Sequence, residues 1–464
     1  MIFIISFREL VASSLIAPLN ALTVSTFIVR EFENQASGEI TYVTEVSFKS
    51  ERRQIRAYET LDKENRKVAF QKRKCYTKEN TLIKYWWYGM GIKQATNMEV
   101  KKNNRNRVFR YICKHGTVSN PDISYSMKMS LPTVTQITKE LIEKGFIEES
   151  GELDSTGGRR AKALTAVVNV RQAVGVDITK NHVSFVLTNL TGGILKYLRI
   201  VLPYTNEEAY YQKVNEEMEK FLDESNADRN KILGIGISFP GIVDLERNLI
   251  TYSHALGVRM LPFDLVSRFF HYPCVFLNDA NAGAYAEGMY SDEKERFFYI
   301  SLSNTVGGAV FDHDRLIQGD HFRTGEVGHM TVIPDGKRCY CGKKGCLDAY
   351  CSALNLSEPA DGKLERFFEL LEKKDPKMES LWDAYTNFLA VALNNIHMVL
   401  DCNIILGGYV GSYAEPYMSD IWRKASERDT FADDERFVKS CRYGIGAAAL
   451  GAALEVIENF VKEI

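Results

Sequence analysis

The feature that most constrains this chain is a short stretch with one histidine and three cysteines. The four residues are His329, Cys339, Cys341 and Cys346, and the first two cysteines are separated by a single residue. Thiolate and imidazole groups suit a tetrahedral Zn2+ site, and three Cys with one His fill it. The stretch therefore predicts a structural zinc site with no open position for a catalytic water. The alternatives are buried free cysteines or a disulfide.

Two glycines and two carboxylates accompany these ligands. Gly342 and Gly345 allow the loop to turn tightly enough for the cysteines on either side to reach one ion. Glu326 precedes the histidine, and Asp348 follows the last cysteine. We interpret the arrangement as a rigid metal loop that presents acceptor oxygens to a polyhydroxyl ligand.

The stretch resembles the ROK family (repressor, open reading frame, kinase). Members of that family have Glu-x-Gly-His followed by Cys-x-Cys-Gly-x-x-Gly-Cys-x-Glu, and further family motifs recur in order from about Arg105 to the C-terminus. The resemblance implies that Glu326 and His329 also hold a sugar. Asp348 stands where the family usually has Glu, one methylene longer, and is expected to make a corresponding contact.

The charge of the chain is distributed unevenly. Lys101 to Thr165 contains 12 Lys and Arg against 7 Asp and Glu, a net charge of +5; the whole chain has −2, so the remainder has −7. A basic module on an acidic body indicates nucleic acid binding at one end. The length of 464 residues indicates two or three domains. Nine cysteines, four of them in or beside the metal pattern, favour a reducing cytoplasm over a disulfide scaffold.

Residues 98–168 have the pattern of a winged helix-turn-helix. Apolar residues at helical spacing predict three helices, and capping residues followed by proline mark the start of the second and third. Two short strand patterns around a glycine-rich turn predict the wing. The predicted helices are Arg105–His115, a short helix after Ser119, and Leu131–Lys144; the predicted strands are Phe146–Glu148 and Ala161–Ala166.

The third predicted helix would enter the major groove with its N-terminal half. Thr133, Thr135 and Gln136 lie off its apolar stripe and are predicted to contact base edges or phosphates. Arg159 and Arg160 follow two glycines at the wing tip, where guanidinium groups suit a narrow minor groove or phosphates. The alternative is a small helical interaction module with a solvated basic loop. The module is also similar to that of ROK repressors, which the kinases of the family lack.

Residues 1–97 differ from the rest of the chain. Met1–Val29 is apolar but interrupted by charges and a proline, so neither a membrane-spanning helix nor a secretory signal is predicted. Glu45–Lys74 is charged without clean periodicity. Because Met98 directly precedes the DNA-binding pattern, we expect residues 1–97 to come from an upstream start and to be largely disordered or non-native. The alternative is an accessory extension.

Residues 169–464 alternate apolar strand patterns with amphipathic helices, which predicts an α/β body. Strands are predicted at Ala173–Ile178, Val183–Leu187 and Ile232–Phe239, with a helix over Glu207–Leu222. Their order is similar to the two-lobed actin-like ATPase fold of sugar kinases, in which ligands bind in the cleft between the lobes.

The phosphate-binding loops of that fold are altered in this chain. Family kinases have Asp-x-Gly-Gly-Thr-Lys after the first strand, whereas residues 177–181 read DITKN. A second loop, Gly-Thr-Gly-x-Gly-x-Gly in kinases, reads SNTVGGA at residues 303–309. Added side chains crowd the backbone amides that would hold phosphate. Gly407–Val410 resembles the adenosine-side turn, with packing as the alternative reason for its glycines.

The sugar side of the resemblance is better preserved. Asn278 and Asp279 end a strand pattern and open a helix. Asp279 matches the catalytic base of the family, and without phosphate loops it would bind the sugar hydroxyl beside Asn278. The alternative is an Asn-Asp helix cap. His254–Val258 stands where kinases often have an Asn and a Gly-Trp pair, which leaves the identity of the sugar open.

These features predict a sugar-responsive transcriptional regulator, more specifically a repressor. We expect it to bind operator DNA as a homodimer or homotetramer in the cytoplasm, with Zn2+ as cofactor and no membrane partner. The alternative is an ATP-dependent, glucokinase-like sugar kinase with an appended DNA-binding head, which Asp279 favours and both altered loops oppose. A third interpretation is a co-repressor bound by a phosphotransfer protein instead of a sugar.

Overall fold

The structure, a computed structural model, describes residues 24–34, 39–48, 54–61, 97–153, 161–289, 296–313, 315–431 and 436–464. The chain forms two compact units, Met1–Gln94 and Ala95–Ile464. In the first unit, three strands pair antiparallel in the order β1-β2-β3; they are β1 (Val24–Asn34), β2 (Glu39–Phe48) and β3 (Gln54–Leu61).

Those three strands differ from the expectation of a largely disordered N-terminal segment. The β2 sequence EITYVTEVSF is rich in β-branched and aromatic residues, which favour an extended backbone even where charges obscure the alternation. Whether the native protein begins at Met98 stays a prediction.

The first part of the second unit is a winged helix-turn-helix, here called the head. The Ser119 hydroxyl accepts from the Asp122 backbone N–H, and the Asp122 carboxylate accepts from the Ser119 N–H, which forms the predicted helix start. The elements of the head are α1 (Asn97–His115), α2 (Asn120–Met127), α3 (Leu131–Glu143), β4 (Ile147–Glu152) and β5 (Lys162–Ala166).

Helix α1 begins eight residues before the predicted start at Arg105, at Asn97. The added turns are mostly polar, so their sequence has no apolar stripe to reveal them. A long-range ion pair joins them to the C-terminal helix: Lys102 pairs with Glu463 at 2.9 Å, and just beyond the added turns the Asn106 side chain donates to the Lys462 carbonyl at 3.1 Å.

The rest of the second unit is a two-lobed α/β body, as predicted. Lobe 1 is built on a five-stranded sheet of order β13-β9-β6-β7-β8 and a small antiparallel sheet. Helix α4 (Glu208–Glu224) covers the large sheet through residues such as Phe221 and Met218. The strands are β6 (Gln172–Ile178), β7 (His182–Asn189), β8 (Ile194–Val201), β9 (Ile232–Phe239), β10 (Ile242–Asp244), β11 (Leu249–Ser253), β12 (Val258–Pro262) and β13 (Cys274–Asn278), and a short helix α5 (Asp264–Ser267) precedes β13.

Lobe 2 has a five-stranded sheet of order β16-β15-β14-β17-β18, packed against a helical layer. The strands are β14 (Phe297–Leu302), β15 (Val306–Asp312), β16 (Arg315–Ile317), β17 (Asn403–Gly407) and β18 (Val438–Ser440). The helices are α7 (Asp348–Cys351), α8 (Leu354–Ser357), α9 (Leu364–Glu372), α10 (Pro376–Leu400), α11 (Gly408–Gly411) and α12 (Met418–Ser426).

Two helices join the lobes. Helix α6 (Asp279–Gly288) continues from β13 of lobe 1 and packs against β15 of lobe 2. The C-terminal helix α13 (Ala447–Glu463) packs against α6, β6 and β9. These contacts are so close that a Cβ on Gly451 would lie 1.7 Å from the Ala282 carbonyl oxygen. Glycine is therefore required where the two helices meet.

The C-terminal helix also connects the body to the head. Arg110 of α1 donates from Nε to the Glu458 carboxylate at 3.2 Å, and the rings of Phe146 and Phe460 pack edge to face at 5.6 Å. Val456, Ile457 and Val461 are part of the same hydrophobic core as the head helices. The helix formed by Gly444–Glu463 is long and apolar enough to span a membrane. However, 61 % of its most apolar 18-residue segment is buried inside the protein, so packing accounts for its apolar composition.

Candidate functional site

The four predicted metal ligands meet in the loop before α7. Their ligand atoms all lie within 4.8 Å of one another. The Cys341 and Cys346 sulfurs are 3.7 Å apart, and the Cys339 sulfur is 3.9 Å from Nδ1 of His329. Tetrahedral zinc with bonds of about 2.3 Å to sulfur separates its thiolates by about 3.8 Å. The structure thus brings together the predicted ligands at a spacing that fits one tetrahedral ion.

Backbone geometry fixes this loop. Gly342 and Gly345 have φ angles of +88° and +80°, in the left-handed region that glycine adopts at least cost. A Cβ on Gly345 would lie 1.7 Å from the Ile333 carbonyl oxygen. The Cys339 N–H donates to the Lys343 carbonyl at 2.8 Å, which closes the turn between the first two thiols and the third. The loop therefore holds its ligand atoms in place through the backbone.

The surroundings of these ligands shift their pKa values in opposite directions, upward for Cys339 and downward for Cys341 and His329. Burial raises the pKa of the Cys339 thiol to about 12, and the neighbouring thiols contribute to the shift. Burial also lowers the pKa of His329, so its imidazole is neutral at pH 7, the form that coordinates metals. A divalent cation would compensate the cost of placing several thiolates together.

Three carboxylates lie beside the metal loop and influence one another. Burial raises the pKa of Asp279 to about 6, with a further increase from the charge of Glu326. Burial raises the pKa of Asp348 to about 6 as well, again with a contribution from Glu326. Desolvation raises the pKa of Glu326 although its side chain keeps access to solvent. The influence of the Glu326 charge on both indicates that Asp279 and Asp348 lie near Glu326.

Two of the predicted sugar contacts have structural partners. The Asn278 side chain accepts from the Asn281 N–H at 3.0 Å and donates to the Gly241 carbonyl at 2.9 Å, so it is the N-cap of α6. Asp348 is 4 % exposed and accepts from the Val306 N–H at 2.6 Å. This bond anchors the loop of residues 303–309, a role that the sequence did not reveal. Sugar contact by both residues stays a prediction.

The nucleotide side of the cleft is bridged by side chains. Tyr409, in the turn that resembles the adenosine-side turn, lies beside Thr179 and Arg199 of lobe 1. The Arg199 guanidinium also lies over the Tyr409 ring, 5.3 Å from its centroid. Thr179 is one of the residues that replace the glycines of the first phosphate loop. Sequence reasoning missed Tyr409, because only the fold brings it opposite that loop.

The head presents the predicted DNA contacts on its surface. Thr133, Thr135 and Gln136 are exposed on α3, whereas Val134 and Ile137 are buried in the core of the head. Tyr125, near the end of α2, is also exposed, at 89 %. Arg159 and Arg160 lie outside the described residues, so the predicted wing contacts stay predictions.

Comparisons with known proteins agree with this two-part architecture. The profile of the ROK family matches residues 173–458, and a profile described as winged helix-turn-helix DNA-binding matches residues 102–148. A DNA-binding head on a two-lobed body defines the class of the protein, and the chain belongs to the ROK family.

Two similar proteins of known name are described as regulators. The chain is 26 % identical over 372 residues to the xylose repressor of Bacillus spizizenii, across 78 % of this chain and 97 % of that protein. It is 28 % identical over 262 residues to the DNA-binding transcriptional dual regulator NagC of Escherichia coli K12, across 56 % of this chain. The second match spans 64 % of the relative, less than two thirds of its length.

Solved structures of the family share the fold. A ROK family transcriptional regulator, described as a homolog of the E. coli MLC protein, has a TM-score of 0.63 at 21 % identity, over 78 % of this chain and 97 % of that one. The ROK hexokinase from Thermus thermophilus has a TM-score of 0.51 at 26 % identity, over 63 % of this chain and all of that one. The regulator extends over more of this chain than the kinase does.

Proposed function

We propose that this protein is a sugar-responsive transcriptional repressor. Its head would bind operator DNA through α3 and the wing, and a carbohydrate would bind between the lobes at Asp279, Glu326 and His329. The observation that carries the proposal is the position of α13. This helix packs against α6, whose first residue is Asp279, and its far end shares the hydrophobic core of the head. A ligand that shifts α6 therefore acts on an element that the head also contacts.

The metal loop would hold Zn2+ through His329 and the three cysteines. The ligand set and the sulfur separation of 3.7 Å support zinc over hard cations, which prefer oxygen ligands. All four positions are filled by protein, so the ion would be structural. Its role would be to keep His329 and Glu326 in position beside the effector.

A second candidate function is an ATP-dependent sugar kinase, favoured by Asp279 at the position of the family's catalytic base. The contact of the Arg199 guanidinium with the Tyr409 ring argues against it, since it joins the two lobes on the side of the cleft where a nucleotide would enter. Phosphoryl transfer depends on contacts to the phosphates, and the altered loops remove glycines from both. We propose that the protein is not an enzyme.

The direct test combines DNA selection with a sugar titration. Duplexes enriched from a random pool by the full-length protein would be used in fluorescence anisotropy with and without pentoses, hexoses and N-acetylhexosamines. We expect one sugar class to change the Kd for the duplex by about 5- to 150-fold, the usual size of an allosteric coupling. Glu326→Gln should bind the duplex normally and lose the response.

Two results would overturn the proposal. One is the absence of any selected duplex, and the other is an affinity for duplex that no sugar changes. Release of ADP from ATP with any sugar of the panel, at a rate typical of kinases, would restore the enzyme as the better candidate. We propose that the active form is a homodimer or homotetramer in the cytoplasm, which analytical ultracentrifugation of the DNA complex would test.

A further inference from the structure

A stacked aromatic pair joins the two lobes beside the metal loop. His254 belongs to the turn between β11 and β12 of lobe 1, and Tyr340 lies between two metal ligands in lobe 2. Their ring centroids are 3.8 Å apart and their planes differ by 9°. Both rings remain partly open to solvent; Tyr340 is 38 % exposed. The pair is therefore a contact across the cleft and not a part of either hydrophobic core.

The pair lies next to the groups proposed to bind the effector. The Tyr340 ring packs edge to face against His329 at 5.3 Å. Tyr340 and Asp348 line one cavity of about 230 Å3. These contacts place the Tyr340 ring beside His329 and near Asp348.

One nitrogen of His254 is already engaged. Its Nδ1 lies 3.1 Å from the Tyr252 hydroxyl, and burial lowers the pKa of its imidazole, so the ring is neutral at pH 7. Among the residues that the structure describes, none hydrogen-bonds with Nε2 of His254. That nitrogen can therefore exchange a hydrogen bond with a ligand hydroxyl while the ring keeps its stack.

We propose that His254 is a specificity-determining residue for the sugar effector, placed by its stack on Tyr340 so that Nε2 contacts one hydroxyl. This inference rests on the effector cleft of the proposed function. The metal loop fixes Tyr340, Tyr340 fixes the plane of His254, and Tyr252 fixes its rotation. A sugar with a bulky group in place of the hydroxyl that faces Nε2 must separate the two rings. Its affinity is then about 2- to 12-fold lower than that of a sugar without this group.

The test uses two replacements that separate the ring from its nitrogen. His254→Phe keeps an aromatic ring for the stack and removes the hydrogen bond, whereas His254→Asn removes the stack and keeps an amide. His271→Asn, at an exposed histidine of the same lobe, is the matched control. Calorimetry would give the Kd of each protein for a pentose, a hexose and an N-acetylhexosamine, with zinc content and duplex affinity measured alongside.

We expect His254→Phe to weaken the preferred sugar by about 2- to 12-fold, the usual net loss for one neutral hydrogen bond. In His254→Asn, the ratio of Kd values between the preferred and the bulkier sugar should change at least threefold. A purely structural role would weaken all sugars equally. Equal weakening, or no change, would overturn this inference while leaving the proposed function intact. A wild-type protein that binds none of the sugars would overturn both.

Discussion

The contact between α13 and α6 leads to a quantitative prediction for Gly451→Ala. The added Cβ would start 1.7 Å from the Ala282 carbonyl oxygen and 2.5 Å from its carbon, whereas ordinary contacts begin near 3.4 Å. The helices must therefore separate by roughly 1.5 Å, and such overpacking costs about 3 kcal/mol because backbone cannot rotate away. The higher helix propensity of alanine offsets about 1 kcal/mol of this cost. The steric cost is larger, so the free energy of unfolding should fall by about 2 kcal/mol.

Thermal unfolding followed by circular dichroism measures this loss. At about 1–2 °C per kcal/mol for a body of roughly 300 residues, the Tm of Gly451→Ala should fall by about 2–4 °C. Gly446→Ala is the matched control, since its Cβ would meet Tyr197 at an ordinary 3.5 Å and its φ of −78° suits any residue. A Tm for Gly451→Ala equal to or above that of the control would refute the reasoning.

Three further outcomes are expected. Cys341→Ser should lose its zinc, measured by atomic emission, and unfold at lower temperature, whereas Cys113→Ser should retain it. Replacing Arg159 and Arg160 by Ala should weaken duplex binding and lower the slope of log Kd against log salt by about 2; an unchanged slope would exclude phosphate contacts by the wing. The pKa of Asp279 is raised to about 6 from 3.8, so the folded protein binds an extra proton between these values. The stability that this proton contributes is complete below pH 3.8 and is lost as pH rises through 6. Relative to Asp279→Asn, the free energy of unfolding of the wild type should therefore fall by about 2 kcal/mol from pH 4 to pH 7. Urea titrations at each pH would measure this fall.

Much of the fold was predictable because local patterns and tertiary structure agree. The second and third head helices begin at capping residues, and strand β9 has the predicted bounds Ile232–Phe239. The four metal ligands were predictable because their spacing in one loop already limits their geometry. In each case the residues that carry the signal are close in sequence, so no knowledge of the fold was needed.

The features that were missed depend on contacts between distant segments. The first turns of α1 are held by the C-terminal helix, more than three hundred residues away. Asp348 was assigned to a sugar on its position in a motif, but its bond to the Val306 N–H appears only when the two loops are folded together. The stack of His254 on Tyr340 and the bridge from Tyr409 to Arg199 join different lobes, so neither pair has a sequence signature.

The contact between the head and the C-terminal helix has a practical consequence for building hybrid sensors. Its polar pairs include Arg110 with Glu458 and Lys102 with Glu463, and they lie beside an aromatic pair and a shared hydrophobic core. A head from another family member could be grafted onto this body if those positions were transplanted with it. Operator choice and ligand choice would then become separable parts, exchangeable through a handful of coordinated substitutions.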